Sequence, residues 1–300
     1  MENILSRIKK GDVLVADGAM GTLLMDMAKN LPQGSCTEII NLDQPELLEK
    51  VALLYFQAGS EIIQTNTFSA SPLKLAGYNL EEKTEDINKN AVRAVRNVVE
   101  DKAYVSASCG PSGKLLAPFG PIEQDVMYNS YYRQLKAIIE EEPDIICFET
   151  MSDLNEIKLA IRAAKSLSSK TPVMATMTFE RTSKGFFTMM GVTIETAANE
   201  LKNAGADIIG SNCGNGSDNM ILIAEEFRKY STLPLLIQSN AGLPELRGEK
   251  SFYPESPEFM ANKAQELIKT GVSIIGGCCG STPDHIKAIR NMVDNLSKKE

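Results

Sequence analysis

Six cysteines occur in this chain of 300 residues, and three of them stand in two glycine-framed groups, Gly210-Ser211-Asn212-Cys213-Gly214 and Gly276-Gly277-Cys278-Cys279-Gly280. Each group follows a short apolar run that reads as a buried strand: Ala206-Asp207-Ile208-Ile209 before Cys213, and Val272-Ser273-Ile274-Ile275 before the adjacent pair. Three thiols delivered from the ends of two strands can supply three ligands to one zinc ion. Three protein ligands leave the fourth tetrahedral position open, as at a catalytic rather than a structural zinc. An open position among thiolates suits a substrate that is itself a thiol.

Packing is the competing explanation, since free cysteine is among the most buried residue types. It suits Cys147, inside Ile145-Ile146-Cys147-Phe148, and it is the preferred reading for Cys36 and Cys109. Adjacent cysteines between glycines at a strand end are harder to explain that way. Neighbours on an extended strand face opposite ways, so both reach one ion only where the backbone turns, and Gly276, Gly277 and Gly280 permit a turn. A phosphate-binding loop is the rival for this segment, but it leaves the paired cysteines unexplained.

Two acids end predicted strands, Asp17 and Glu149. Helix capping or a solvated rim charge would be the plain reading. At Asp17 that reading is weaker, because Gly18 and Gly21 let the backbone approach a ligand closely. Two carboxylates facing a metal-bound thiol would hold an α-ammonium group. Free N–H groups in Gly18-Ala19-Met20-Gly21 could take an α-carboxylate. The implied ligand is a zwitterionic amino acid carrying a thiol. His285 is the single histidine, and a surface or capping role is preferred to ligation.

These residues need a scaffold that collects strand ends. Eight runs rich in Ile, Val and Leu predict parallel strands buried on both faces: Val13–Asp17, Glu61–Thr65, Tyr104–Cys109, Asp144–Glu149, Val173–Thr178, Asp207–Ser211, Leu235–Ser239 and Ser273–Gly276. Amphipathic stretches alternate with them, at Pro45–Gln57, Thr84–Glu100, Glu123–Glu141, Asp153–Leu167, Ile194–Asn203, Met220–Tyr230, Pro257–Lys269 and Pro283–Leu296. Thr282-Pro283-Asp284 and Ser256-Pro257-Glu258 carry cap, proline and acid in the order of a helix start. Eight β/α units predict one (β/α)8 TIM barrel domain over residues 1–300, with its working residues at the C-terminal strand ends. An open doubly wound sheet is the alternative, and the missing Gly-x-Gly-x-x-Gly after the first strand argues against it.

The net charge of −8 and the absence of a dense Lys/Arg cluster, Lys9-Lys10 and Lys298-Lys299 being the densest, set nucleic acid aside. No signal-peptide h-region or membrane-length apolar run is seen. The expectation is a cytoplasmic protein with reduced cysteines.

Together, Asp17-Gly18-Ala19-Met20-Gly21-Thr22, Gly210-Ser211-Asn212-Cys213 and Gly276-Gly277-Cys278-Cys279-Gly280 resemble the marks of the homocysteine S-methyltransferase family, over about Leu14 to Ile286. The resemblance implies a (β/α)8 barrel with zinc held by Cys213, Cys278 and Cys279. It implies homocysteine bound by Asp17, Glu149 and the loop amides of Gly18 and Ala19, with Asn66 and Asn240 also placed at the substrate. Thr65-Asn66-Thr67-Phe68 and Asn240-Ala241-Gly242-Leu243-Pro244 are most similar to the homocysteine-binding module of cobalamin-dependent methionine synthases. The chain stops where those enzymes continue into folate- and cobalamin-binding modules. The expected donor is therefore a methylated corrinoid protein, acting in trans through transient docking. S-methylmethionine, S-adenosylmethionine or a betaine-like compound are the alternatives, as is a non-catalytic zinc- or corrinoid-protein-binding module.

Overall fold

In the computed structural model, which describes residues 1–28, 31, 34–247 and 250–297, eight parallel strands form the central sheet. They are β1 (Leu14–Val15), β2 (Ile62–Gln64), β3 (Tyr104–Cys109), β4 (Ile145–Met151), β5 (Val173–Met177), β6 (Ile208–Asn212), β7 (Leu235–Ser239) and β8 (Ile274–Gly277). Each pairs with its sequence neighbours, and β8 pairs with β1 through Leu14–Ile274 and Val15–Ile275. A parallel bridge between Ala16 and Ile62 joins β1 to β2 and closes the barrel. The eight predicted helices surround it, among them Pro45–Gln57, Thr84–Val99 and Pro283–Ser297. The predicted Lys298-Lys299 cluster and the last residue of the expected domain lie outside the described residues.

The strand patterning explains two cores. One set of side chains fills the barrel: Leu14, Ala16, Ile62, Tyr104, Ile145, Cys147, Met174, Ile208, Leu236 and Ile274. Ile4 joins this layer from the N-terminal helix Ile4–Lys9, with Leu5 and Ile8 packed against it. That helix was not expected from the sequence, and it plugs the bottom of the barrel. The opposite strand faces, such as Val15, Ile63, Val105 and Ile209, pack beneath the helices. Full burial of each such side chain contributes about 1.5–3 kcal/mol before entropy is charged against it.

Capping chemistry sets several helix starts. Ser256 Oγ accepts the Phe259 N–H at 3.3 Å, and Asp153 Oδ1 accepts the Asn155 N–H at 2.8 Å. His285 is buried rather than on the surface. Its Nδ1 accepts the Thr282 N–H at 3.1 Å, while Nε2 donates to the Glu255 carbonyl at 3.0 Å. It therefore ties a preceding loop to the start of the last helix, as a capping residue does.

Two departures matter for the site. Met20–Met27 is a helix beginning where a loop was expected, so the glycine-rich segment is the approach to a helix N-terminus. In addition, β4 runs past Glu149 to Met151, and its pairing with β5 shifts register between Phe148 and Met151.

Close strand packing limits side-chain size inside β6. A Cβ on Gly210 would sit 1.9 Å from the backbone oxygen of Leu236 on β7. Gly210→Ala should lower stability by at least about 3 kcal/mol, at or beyond the usual overpacking cost, because backbone cannot step aside as a side chain can. Gly21→Ala, with nothing within 4 Å of the new atom, should leave stability within about 1 kcal/mol of the parent. Urea midpoints of the two variants check the pair. Equal midpoints would mean that β6 and β7 are not packed as described.

Candidate active site and metal centre

The polar residues at the strand ends converge on one cavity of about 250 Å³. Gly18–Thr22 form one wall, and Gln64–Asn66 with Phe68 another. Ser108, Glu149 and Thr150 line it together with Cys213, Cys278 and Cys279.

The sulfur cluster is built by backbone geometry. Cys213 stands at φ 59°, in the left-handed region, and Gly214 follows at φ 73°. This sharp exit from β6 turns the Cys213 side chain toward β8, and the Cys213 N–H is held by the Gln238 carbonyl of β7 at 3.1 Å. From the other side, the Cys278 N–H donates to the Ser239 carbonyl of β7 at 2.7 Å. Gly280 turns the chain at φ 79° and lies against the Tyr253 ring, where a Cβ would come within 2.1 Å of Cγ. Gly276 and Gly277 remain in the strand; their role is space rather than turning. A Cβ at Gly277 would sit 2.2 Å from Ser281 Oγ, which donates to the Cys278 carbonyl at 2.7 Å.

The three sulfurs lie within 4.8 Å of one another, and Cys213 Sγ is 3.7 Å from Cys279 Sγ. Four ligands placed tetrahedrally at ~2.3 Å put neighbouring sulfurs about 3.8 Å apart. The Cys213–Cys279 spacing matches that edge, and three thiols this close are a donor set suited to one zinc-sized ion. Within the cluster, the Cys279 thiol is held well below its ordinary pKa, because the Cys213 and Cys278 thiols, and then the Tyr253 hydroxyl, hydrogen-bond to its sulfur. The other cysteines are elsewhere. Cys147 is inside the barrel core, Cys109 is fully buried, and Cys36 packs with Ala70, Leu75 and Ile87.

Glu149 lines the cavity, and its carboxylate accepts a short hydrogen bond from Ser108 Oγ and another from Asn212 Nδ2 at 3.2 Å. Asp17 is fully buried behind the wall. Its Oδ2 accepts the Gln64 N–H at 2.8 Å, while Oδ1 has no partner. Burial pushes Asp17 up to about 8 and Glu149 up to about 7; the neighbouring Glu149 charge adds to the rise at Asp17. Buried acids raised in this way beside a cavity mark a candidate functional site.

The remaining predicted positions fall differently. Gly18 and Ala19 line the cavity, but the Ala19 N–H is taken by Ser281 Oγ at 3.2 Å. The helix after them, Met20–Met27, has no side-chain cap at its N-terminus. Asn66 lines the cavity with its amide committed to the Thr37 carbonyl and Asn41 Oδ1, both at 2.9 Å. Asn240 is buried outside the lining; its N–H donates to the Asn215 carbonyl and its Oδ1 lacks a partner. Gln64, Ser108, Asn212 and Tyr253 were not picked out by sequence reasoning. For the first three the available signal was a polar residue closing an apolar strand; Tyr253 comes from a distant loop and carried no signal.

Fold and rim define the class: a (β/α)8 barrel whose C-terminal face joins a three-thiol cluster to a small acid-lined pocket. The sequence profile of the homocysteine S-methyltransferase family matches residues 14–293, and the chain belongs to that family. It is 32% identical over 292 residues to the methionine synthase of Mycobacterium leprae, and 32% identical over 303 residues to that of Mycobacterium tuberculosis. These matches cover 92% and 96% of this chain, but the chain spans only 24% and 25% of those relatives. The metallated homocysteine methyltransferase MmuM of Escherichia coli shares the fold, with a TM-score of 0.79 at 21% identity over 96% of this chain and 99% of that one. A methyltransferase from Methanosarcina mazei does so at 0.59 and 11% identity, over 95% and 94% of the two chains.

The cysteine environments are directly testable. In metal-free protein, brief alkylation near neutral pH followed by mass-spectrometric mapping should label the half-buried cluster of Cys213, Cys278 and Cys279 first, since it is accessible and the thiolate is the reactive form. Cys109 and Cys147, fully buried and with thiols raised by desolvation, should react only on unfolding. Earlier labelling of Cys147 would contradict the arrangement.

Proposed function

We propose that this chain transfers a methyl group to the sulfur of homocysteine, giving methionine, with zinc held by Cys213, Cys278 and Cys279. The observation that carries this reading is one small cavity lined by three cysteine sulfurs and the Glu149 carboxylate, with the buried Asp17 carboxylate behind its wall. A thiol amino acid matches both ends. Bound at the three cysteines, zinc supplies the positive charge that keeps a substrate thiol ionised near neutral pH.

The chain's own residues do the rest. Glu149, steadied by Ser108 and Asn212, accepts the substrate ammonium from the cavity wall, and the free Oδ1 of Asp17 adds a second acceptor behind it. The uncapped N-terminus of Met20–Met27 faces the α-carboxylate, where unpaired N–H groups favour an anion. The thiolate attacks the donor methyl carbon in line as the donor bond breaks. No general base is needed for a thiol already ionised.

A methylated corrinoid protein acting in trans is the preferred donor. Relatives named methionine synthase extend well beyond the region matched here, and Leu243, 57% exposed after β7, offers a partner an apolar contact on the rim. Nearby, Phe68 is half-buried and Asn66 and Asn240 are buried. Six free cysteines, three of them needed as thiolates, suit a reducing cytoplasm. No helix among the described residues is long and apolar enough to cross a membrane.

Metal analysis should find one zinc per chain, lost in the Cys278→Ala/Cys279→Ala double variant and kept in Cys147→Ala. Full occupancy in the double variant would remove the site. Homocysteine, with a methylcobalamin-loaded corrinoid protein, should yield methionine as cobalamin absorbance changes. Turnover only with S-methylmethionine, S-adenosylmethionine or a betaine-like donor would reject the trans-corrinoid donor and leave the acceptor chemistry standing.

Substrate binding should depend on both acids and on pH. Asp17→Asn and Glu149→Gln should each weaken homocysteine about tenfold or more, the scale of a hydrogen bond to a charged group, and retain zinc. In the free protein both acids hold protons below about 7 for Glu149 and about 8 for Asp17. The ammonium requires the ionised forms. Affinity should therefore rise as pH increases through these values, and Asp17→Asn should abolish the upper part of the rise. Affinity measured across this range by calorimetry checks the sign; a fall with rising pH would contradict the assignment.

A further inference from the structure

Thr150, next to Glu149, has φ 59°. For a β-branched residue this is an unusual conformation that persists only where its surroundings hold it. It coincides with the register shift between β4 and β5 at Phe148 to Met151. Bulges of this kind re-aim side chains beside active sites, and the side chain re-aimed here is Glu149, which lines the cavity.

One side-chain amide bonds directly to the bulged residue. Asn212, fully buried at the end of β6, accepts the Thr150 N–H on Oδ1 at 2.7 Å and the Thr176 hydroxyl on the same atom at 2.7 Å. Two donors on Oδ1 leave no ambiguity about the amide's orientation. Its Nδ2 therefore points into the site, donating to Thr150 Oγ1 at 2.8 Å and Glu149 Oε2 at 3.2 Å, and lying 3.9 Å from Cys278 Sγ. Asn212 is thus the side chain that bonds to the bulged backbone and the cavity carboxylate while reaching a sulfur of the cluster.

We propose that Asn212 is a positioning residue that locks the Glu149–Thr150 bulge and fixes the acid-to-sulfur geometry by which the pocket selects an amino thiol over a plain thiol. This inference rests on the reading of Glu149 as the ammonium anchor. Oδ1 maintains the bulge through Thr150. Nδ2 keeps the Glu149 carboxylate turned into the cavity, at a constant offset from the sulfur cluster. The substrate's two ends are then recognised together.

The test compares homocysteine with 4-mercaptobutyrate, which keeps the thiol and carboxylate but lacks the amine. Binding to zinc-loaded protein is measured at alkaline pH, where the acids are ionised. Asn212→Asp keeps the acceptor for Thr150 but puts an oxygen against Glu149. It should weaken homocysteine about tenfold, as loss of one hydrogen bond to a charged group does, while 4-mercaptobutyrate binding and zinc content stay near the parent values. A merely structural role would weaken both ligands alike, and that result, or no change in either, overturns the proposal. Asn212→Ala also removes the acceptor. In that variant the Thr150 amide should exchange with solvent at least about tenfold faster than in Asn212→Asp, as expected when a buried N–H loses its partner; equal exchange rates overturn the lock. If the parent protein itself shows no preference for homocysteine over 4-mercaptobutyrate, the ammonium-anchor reading fails instead, and the Thr150 exchange alone decides the role of Asn212.

Discussion

Two backbone hydrogen bonds to β7 set the spacing on which the site depends. The Cys213 N–H is held by the Gln238 carbonyl and the Cys278 N–H by that of Ser239. Adjacent carbonyls of one strand therefore place ligands that are more than sixty residues apart in the chain. Strand separation in a sheet is set by hydrogen-bond length and varies little. The positions of Cys213 and Cys278 inherit that rigidity, and Cys279, next in the chain, stands 3.7 Å from Cys213 sulfur to sulfur. The close approach has a packing consequence, since β6 tolerates only glycine at position 210, against the Leu236 backbone.

The second constraint is electrostatic. Glu149 and Asp17 are removed from water with few compensating charges, and both are raised well above ordinary carboxyl values by desolvation. Burying acids in this way costs folding free energy, and the lone pair on Asp17 Oδ1 has no donor. Ser108 and Asn212 offset part of the cost at Glu149 by hydrogen bonding to the charged form. What remains uncompensated at Asp17 and Glu149 is the electrostatic basis for the ammonium site proposed above. The same logic separates the cysteines. Inside the barrel, burial first and then the neighbouring Glu149 charge raise the Cys147 thiol, whereas on the rim the other thiols and Tyr253 surround Cys279 and lower it.

Stability and chemistry occupy opposite ends of the same strands. The N-terminal halves carry the apolar plug around Ile4, Leu14, Ile62 and Ile274. The C-terminal ends carry Gln64, Ser108, Glu149, Asn212 and the sulfur cluster. An irregular feature such as the bulge at Thr150 or the left-handed Cys213 can persist at the rim because the lower barrel supplies the burial that holds the fold together. That division is general to this architecture.

The sequence by itself determined the eight β/α units and the barrel, singled out Cys213, Cys278 and Cys279 from the other three cysteines, and placed Asp17 and Glu149 at strand ends. These were legible because they depend on local signals: apolar runs of strand length, caps and glycines at fixed offsets, and reactive side chains at strand ends. Element boundaries came within a few residues for the same reason, as at Tyr104–Cys109 and Pro45–Gln57. The N-terminal plug, the helix at Met20–Met27 and the partners of the acids were decided only in three dimensions. Asn66 and Asn240 show the limit: both follow strands, yet one amide is spent on Thr37 and Asn41, and the other lies outside the lining. Tyr253 and Asn212 show the converse, reaching the site through contacts between segments far apart in the chain. A strand end tells which residues stand on the rim. Which way each side chain turns, and what it meets there, depends on backbone bends and neighbours that only the closed barrel brings together.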